Sequence, residues 1–179
     1  MFIKILIVLA VLIIVLGVVV ALRPSNFRVA RTAFISAPAS IVFAEVNDLH
    51  KWEAWSPYEK LDPAMPRAYE GAPAGVGASY AWSGNRRIGA GRCTITDSRP
   101  SERIAIRLEM TRPFACTNAV EFTFRPDGRR TAATWSMTGK CNFVTKALSL
   151  FMSMDKMVGG EFDKGLAALK AISEAAVKT

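Results

Sequence analysis

The run MDKMVGGEFDKGL, residues 154–166, reads as helix, yet it sets Asp155 on the buried stripe and puts two glycines mid-helix. Asp155, Gly159, Phe162 and Leu166 recur at three-and-four spacing, so the aspartate shares a face with apolar residues. A carboxylate held in a pocket at a perturbed pKa is what general acid–base chemistry needs, which makes Asp155, Glu161, Tyr80 and Tyr69 candidates. Two quieter outlets exist for Asp155: a salt bridge to Lys156 or Lys146, or a hydrogen bond to nearby backbone. The glycines cost about 1 kcal/mol each relative to alanine, so they call for a close approach or for space left to a ligand. His50 is the only histidine and stands beside Lys51 in an expected turn, so it receives no role. Cys93, Cys116 and Cys141 have neither metal-site nor disulfide-framework spacing. GAPAGVG lacks the lysine and the strand-to-helix context of a phosphate loop. No residue is assigned as catalytic, and neither a metal nor a cofactor is expected.

The elements that hold these groups follow from period and punctuation. FIKILIVLAVLIIVLGVVVAL, from Phe2 to Leu22, is apolar apart from Lys4 and long enough to cross a hydrocarbon core of roughly 30 Å. Residues 1–22 are read as a transmembrane anchor. A cleaved signal peptide is the rival reading, because one lysine precedes the run and Val19-Val20-Ala21 loosely suits a cleavage site. The run is longer than a usual signal core of about 7 to 15 residues, and Leu22-Arg23-Pro24 makes a poor mature start, which favours the anchor. Residues 23–26 are a linker and 27–179 the folded domain. FRVARTAFIS is a strand ended by Ala37-Pro38, and PASIVFAEVNDLHKWEAW carries one or two short helices with a break near Asn47-Asp48. Six further strands follow, in MPRAYE, ASYAWSG, GRCTITDS, RIAIRLEM, CTNAVEFTF and TAATWSMTGK, separated by segments rich in Gly, Pro, Asn or Asp. From Leu148 the period changes, and Phe151 or Met152, Asp155, Gly159, Phe162, Leu166, Leu169 and Ile172 mark one long amphipathic helix.

This order is α+β: the sheet must bury one face against the closing helix. RTAFISAPASIVFAEVNDLHKWEAWSPYEKLDP, YEGAPAGVGASYAWSGN, GRCTITDSRPSERIAIRLE, VEFTFRPDG and MDKMVGGEFDKGLAALK resemble the polyketide cyclase/dehydrase branch of the START-like (SRPBCC) superfamily. The resemblance implies a helix-grip fold, in which a curved seven-stranded antiparallel sheet wraps around the C-terminal helix with a hydrophobic cavity between them. It also implies apolar ligands such as lipids, sterols or polyketides, with catalysis in only some members.

Alternation separates the two faces of each strand. Cys116, Asn118, Val120, Phe122 and Phe124 form one set in CTNAVEFTF, and Ala133, Trp135 and Met137 form one in the next strand. Turning the chain around Pro126-Asp127-Gly128 sets Phe124, Phe122 and Val120 beside Thr131, Ala133 and Trp135, an apolar face taken as the concave one. The same register brings Cys116 within a residue or two of Cys141, where a disulfide is an option if the domain is exported. Candidate cavity residues are Trp52, Trp55, Tyr80, Trp82, Asn118, Val120, Phe122, Trp135, Met137, Phe151, Asp155, Gly159 and Phe162. Trp52 and Trp55 equally suit a plug at one end of the cavity, and Asn118, the polar member of its inward set, must find a hydrogen-bond partner or meet water.

The net charge is +8, and only Lys4 of it lies in the apolar run. The arginines are scattered among strands and turns without a recognition-helix or RNP-like pattern, so nucleic acid is not expected as a partner. A domain tethered beside lipid gains about 1 kcal/mol per basic residue near an anionic surface. In the helix-grip order the first strand starts where the last ends, so the turns holding Arg86, Arg87 and Arg112 share the anchored end and are expected to face the bilayer. The reading is a module for a hydrophobic small molecule or lipid, on a single-pass anchor in a bacterial inner membrane. Its membrane side and oligomeric state are left open. A cyclase- or dehydratase-type enzyme and a scaffold domain with a filled core are the alternatives.

Overall fold

Period-two alternation, punctuated by Gly, Pro, Asn and Asp, yields strands where the pattern predicts them. The computed structural model describes residues 2–22, 24–140, 146 and 154–178. Its strands are β1 Asn26–Ile35, β2 Arg67–Glu70, β3 Ser79–Ser83, β4 Ala90–Arg99, β5 Arg103–Arg112, β6 Cys116–Asp127 and β7 Arg130–Lys140. They form one curved antiparallel sheet in the order β1-β7-β6-β5-β4-β3-β2. The helices are α1 Phe2–Leu22, α2 Ala39–Asn47, α3 Trp52–Trp55 and α4 Met154–Ala176. The helix-grip expectation holds, and the long closing helix crosses the concave face of the sheet.

The break expected after Asn47 falls at Asp48, whose extended backbone stops α2 while its carboxylate accepts from His50 N at 3.0 Å. That turn lets both tryptophans of α3 fold back, with Trp52 Nε1 donating to Val46 O at 2.9 Å and Trp55 Nε1 to Glu45 O at 3.1 Å. In β4 the register shifts between Ile95 and Asp97, a bulge that turns Ser98 inward, and its hydroxyl donates to Asn47 Oδ1 at 2.7 Å. The bulge therefore ties the sheet to α2.

The β6–β7 hairpin departs from expectation in register though not in face. Phe124 pairs with Ala133, Phe122 with Trp135 and Val120 with Met137, two residues along from the expected partners. The cause is the turn: only Gly128 and Arg129 form the loop, with Gly128 at φ +62°, so Pro126 and Asp127 stay in the ladder. A shift of two preserves side-chain parity, and the apolar face survives it. Cys141 and Phe151 lie outside the described residues, so the Cys116–Cys141 pairing and the cavity role of Phe151 do too. α1 is exposed along nearly all its length and is long and apolar enough to cross a membrane, by length and composition.

Candidate functional site

Strand register stacks the concave-face side chains into rows across the sheet. The first row is Arg67, Trp82, Gly91, Met110 and Cys116; the second is Tyr69, Tyr80, Cys93, Leu108, Asn118, Gly139 and Phe27. Next come Ile95, Ile106, Val120, Met137 and Val29, then Ile104, Phe122, Trp135 and Arg31. The first row lies at the end where β1 begins, and β1 begins four positions after α1 ends.

Burial follows a gradient along these rows. In the two farther rows every apolar side chain is enclosed: Ile104 and Phe122 at 0 % exposure, Trp135 at 3 %, Val120 and Met137 at 6 %. Trp135 is their centre, stacked on Phe162 of α4 at 4.0 Å and on Phe122 at 4.9 Å, with Trp55 at 5.7 Å edge-on. Trp52 packs edge-on against Phe122 at 6.1 Å, so both tryptophans of α3 fill the interior. Toward the end where β1 begins, the cover given by the described residues thins, and Phe27, Trp82, Leu108 and Met110 are only partly buried. The Trp82 ring lies against Gly91, where a Cβ would stand 2.9 Å from it. Trp82 Nε1 and Trp135 Nε1 are enclosed without a hydrogen-bond partner among the described residues, whereas the indoles of Trp52 and Trp55 are satisfied. Unpaired buried donors are uncommon and call for a ligand or water as acceptor.

Asn118 is buried and opposes Gly139, and a Cβ on that glycine would collide with Asn118 Oδ1 and the Phe27 ring. The glycine thus makes room for the one amide of the second row. The amide nitrogen of Asn118 points to Cys116 Sγ at 3.7 Å.

Asp155 does not join this face as the floor of a cavity. It is exposed and forms a two-pronged ion pair with Arg31, Nη1 to Oδ1 and Nη2 to Oδ2 both at 2.8 Å, with Asp163 adding a contact to Nε at 3.2 Å. The physical reason lies in β1. Arg31 occupies an inward position opposite Trp135, so its guanidinium must escape along α4 to reach countercharge. The hydrogen bonds from Arg31 hold the Asp155 carboxyl below its ordinary range. Gly159 accommodates that guanidinium, which a Cβ there would strike, so its space is already occupied. Gly160 faces open space, and Gly165 gives way to Trp135 and Pro57.

Two residues of the concave face that sequence reasoning passed over are Glu59 and Arg67. Glu59, on the 3-10 turn Glu59–Leu61, is 6 % exposed; its Oε1 accepts from Tyr80 Oη at 2.5 Å and its Oε2 from Arg67 Nε at 2.9 Å. Arg67 also donates to Met65 O at 3.1 Å and Pro63 O at 3.0 Å, pinning the segment that crosses the end of the first row. The available signal was an arginine in the inward set of β2, two residues before Tyr69. Burial, reinforced by the bond to Glu59, pushes the Tyr80 phenol well above its usual range. Burial and the Glu59 charge raise the Cys93 thiol to about 12. Both Glu59 oxygens are committed and Tyr80 is held protonated, so this cluster satisfies itself and offers no free base. Outward from Tyr80, Tyr69 stacks at 5.1 Å and His50 at 4.0 Å beyond it, with His50 exposed and bonded to Asp48. Among the described residues no group of three or more His, Cys, Asp or Glu converges on a common point.

Arg86 and Arg87 sit in the β3–β4 turn, and Arg112 ends β5, all at the end where β1 begins. A groove of about 1010 Å³ lies elsewhere, lined largely by outward side chains such as Thr96, Ala105, Thr117, Ala119 and Thr138. Small residues leave that trough open to solvent between the longer Arg103 and Arg28.

Solved structures share this architecture at low identity, which fixes the fold alone. CV1439 from Chromobacterium violaceum is 15% identical with a TM-score of 0.59, over 85% of this chain and 99% of that one. TTHA0849 from Thermus thermophilus is 14% identical with a TM-score of 0.58, over 84% and 99%. The di-domain ARO/CYC StfQ from the steffimycin biosynthetic pathway is 11% identical with a TM-score of 0.64, over 87% of this chain and 53% of that one, so the chain spans about half of it. No curated protein matches in sequence. The profile of one family, described as polyketide cyclase / dehydrase and lipid transport, matches residues 26–174, which takes in the whole sheet and almost all of α4. On that match, the chain belongs to the polyketide cyclase / dehydrase and lipid transport family of the START-like (SRPBCC) superfamily.

Proposed function

We propose that the protein is a membrane-anchored binding module that takes an apolar small molecule, with a lipid as the leading class, against the concave face of its sheet. The observation that carries this reading is the burial gradient. Rows packed on α3 and α4 are filled, while Phe27, Trp82, Leu108 and Met110 at the anchored end are incompletely covered by described residues. Trp82 Nε1 supplies a donor for one polar atom on an otherwise apolar guest. Asn118 adds a second polar group in the neighbouring row.

The alternative of a cyclase- or dehydratase-type enzyme needs a group free to move a proton. The Glu59–Tyr80–Arg67 cluster has none to spare, since each charge is already matched. The filled rows alone would suit a scaffold; the rows thinly covered by described residues favour a binding module. Organic extraction and mass spectrometry of the domain from residue 24 onward tests the proposal. It predicts an apolar molecule at about one per chain; a domain that carries none and takes up none would sink it.

A further inference from the structure

Leu22 and Asn26 are joined by three intervening residues, which reach at most about 14 Å even when fully extended. If α1 crosses a bilayer, the end of the sheet holding Asn26 is therefore held close to the lipid headgroups. Two turns share that end and lock against each other. Asn85 N donates to Asp62 Oδ2 at 2.8 Å, Asn85 Nδ2 to Leu61 O at 3.1 Å, and Gly89 N to Asn85 O at 2.8 Å, which fixes the 84–89 turn. Gly89, at φ +70°, comes so close to Arg112 O that a Cβ would overlap it, and Arg112 Nη2 donates to Ser83 Oγ at 2.7 Å. Phe114 projects from the neighbouring turn at 59 % exposure, an aromatic ring left in water among described residues.

Arg31, Arg67, Arg92, Arg99, Arg103, Arg107 and Arg130 each have a carboxylate partner. Arg86, Arg87 and Arg112 have none among the described ion pairs; nor do Arg28, Arg125 and Arg129, of which the last two lie at the far hairpin, so it is the company of Phe114 and the closeness to α1 that set the tip apart. Three acids of the surrounding segments are engaged elsewhere: Asp62 accepts from the Asn85 amide, Glu59 from Arg67 and Tyr80, and Glu109 pairs with Arg107. A rigid tip with unpaired guanidiniums around one exposed aromatic ring has the composition of an interfacial contact with anionic lipid.

We propose that this tip docks on an anionic phospholipid surface, with Phe114 entering the interface and Arg86, Arg87 and Arg112 meeting headgroup phosphates. The proposal rests on α1 being a membrane anchor, and it adds that the domain lies down on the bilayer rather than swinging free above it. The consequence is functional: the rows of the concave face that described residues cover thinly lie at this same end, so docking would set them toward the lipid.

The test is hydrogen exchange of the full chain in nanodiscs, comparing a phosphatidylglycerol–phosphatidylcholine mixture with phosphatidylcholine alone. With the anionic mixture, amides of 85–89 and 114–116 slow by tenfold or more, and they speed up again in phosphatidylcholine. Each of Arg86→Gln and Arg87→Gln lowers the protection about fivefold, and Phe114→Ser removes most of it while α1 stays protected. Protected α1 amides with the two turns exchanging equally in both lipids would overturn the docking and leave the anchor standing. Unprotected α1 amides would overturn the anchor and the docking with it.

Discussion

Replacing Arg67 by methionine strands a carboxylate. Glu59 is 6 % exposed, and without Arg67 it keeps only the Tyr80 hydroxyl as partner. Removing one member of a buried ion pair costs about 3–5 kcal/mol, because the remaining charge is left uncompensated. The two backbone bonds from Arg67 to Met65 O and Pro63 O add about 1 kcal/mol each. The converse change, Glu59→Leu with Tyr80→Phe, removes the acid and its donor together. It leaves Arg67 with a side chain 19% exposed, able to reach water and Glu53 at 3.4 Å, so it should cost only about 1–2 kcal/mol. The triple variant should then be less damaged than the sum by about 2 kcal/mol or more, a coupling readable in a double-mutant cycle. Urea unfolding of the domain from residue 24 onward, followed by tryptophan fluorescence with m checked for constancy, measures it. Additive costs, or an Arg67→Met loss below about 1 kcal/mol as for an exposed pair, would refute the view that this cluster is a buried latch over the first row.

The glycines of α4 separate in the same assay. Gly160→Ala meets open space and should stabilise by up to about 1 kcal/mol through helix propensity. Gly165→Ala sets a methyl 2.7 Å from Trp135 Cζ3 and 2.9 Å from Pro57 Cδ, and should destabilise by about 1–3 kcal/mol from overpacking. The hydrogen bonds from Arg31 depress the folded-state pKa of Asp155, and that of Glu174 is depressed by its bond from the Ser36 amide. A depressed carboxyl stabilises above its unfolded pKa and loses that contribution as pH falls through the folded value. Asp155→Asn should therefore be less stable than the parent at pH 6, and the two should converge only as pH falls below the depressed folded-state pKa of Asp155, with the gap shrinking in high salt. With its thiol raised to about 12 by burial and the Glu59 charge, Cys93 should resist iodoacetamide at pH 8, while exposed Cys116 is alkylated unless it is oxidised; mass mapping of the native chain checks this.

Most of the fold was legible because its strands obey one rule, apolar one way and polar the other, and its turns carry the residues turns need. The β6–β7 register slipped by two, since Pro126 and Asp127 look like turn residues yet remain paired when Gly128-Arg129 closes the hairpin. The site was harder to read, and Arg31 and Arg67 explain why. Each is a charged residue in an inward set, FRVARTAFIS for one and RAYE for the other. A charge in such a position demands a counterion brought by another element. Followed through, Arg31 calls for acids on α4, which are Asp155 and Asp163, and Arg67 calls for Glu59. Asp155 looked isolated on its stripe because helical period alone cannot show an arginine reaching across from the sheet. The partial burial of Trp82, Leu108 and Met110 was beyond the sequence, because it depends on which elements pack over each row of the sheet.

The central question is whether the end of the concave face nearest α1 receives an apolar guest. With indole-¹⁵N labelling, the protein has four tryptophan N–H signals: Trp52 and Trp55 bonded to backbone carbonyls, Trp82 and Trp135 without a partner among the described residues. Titration of the domain with dodecanoate or a single-chain phospholipid should move the Trp82 signal strongly and saturably, while Trp52 and Trp55 stay within a small fraction of that shift. A Trp82 resonance that stays fixed, or four that move together, would contradict the placement of the ligand and with it the proposed function.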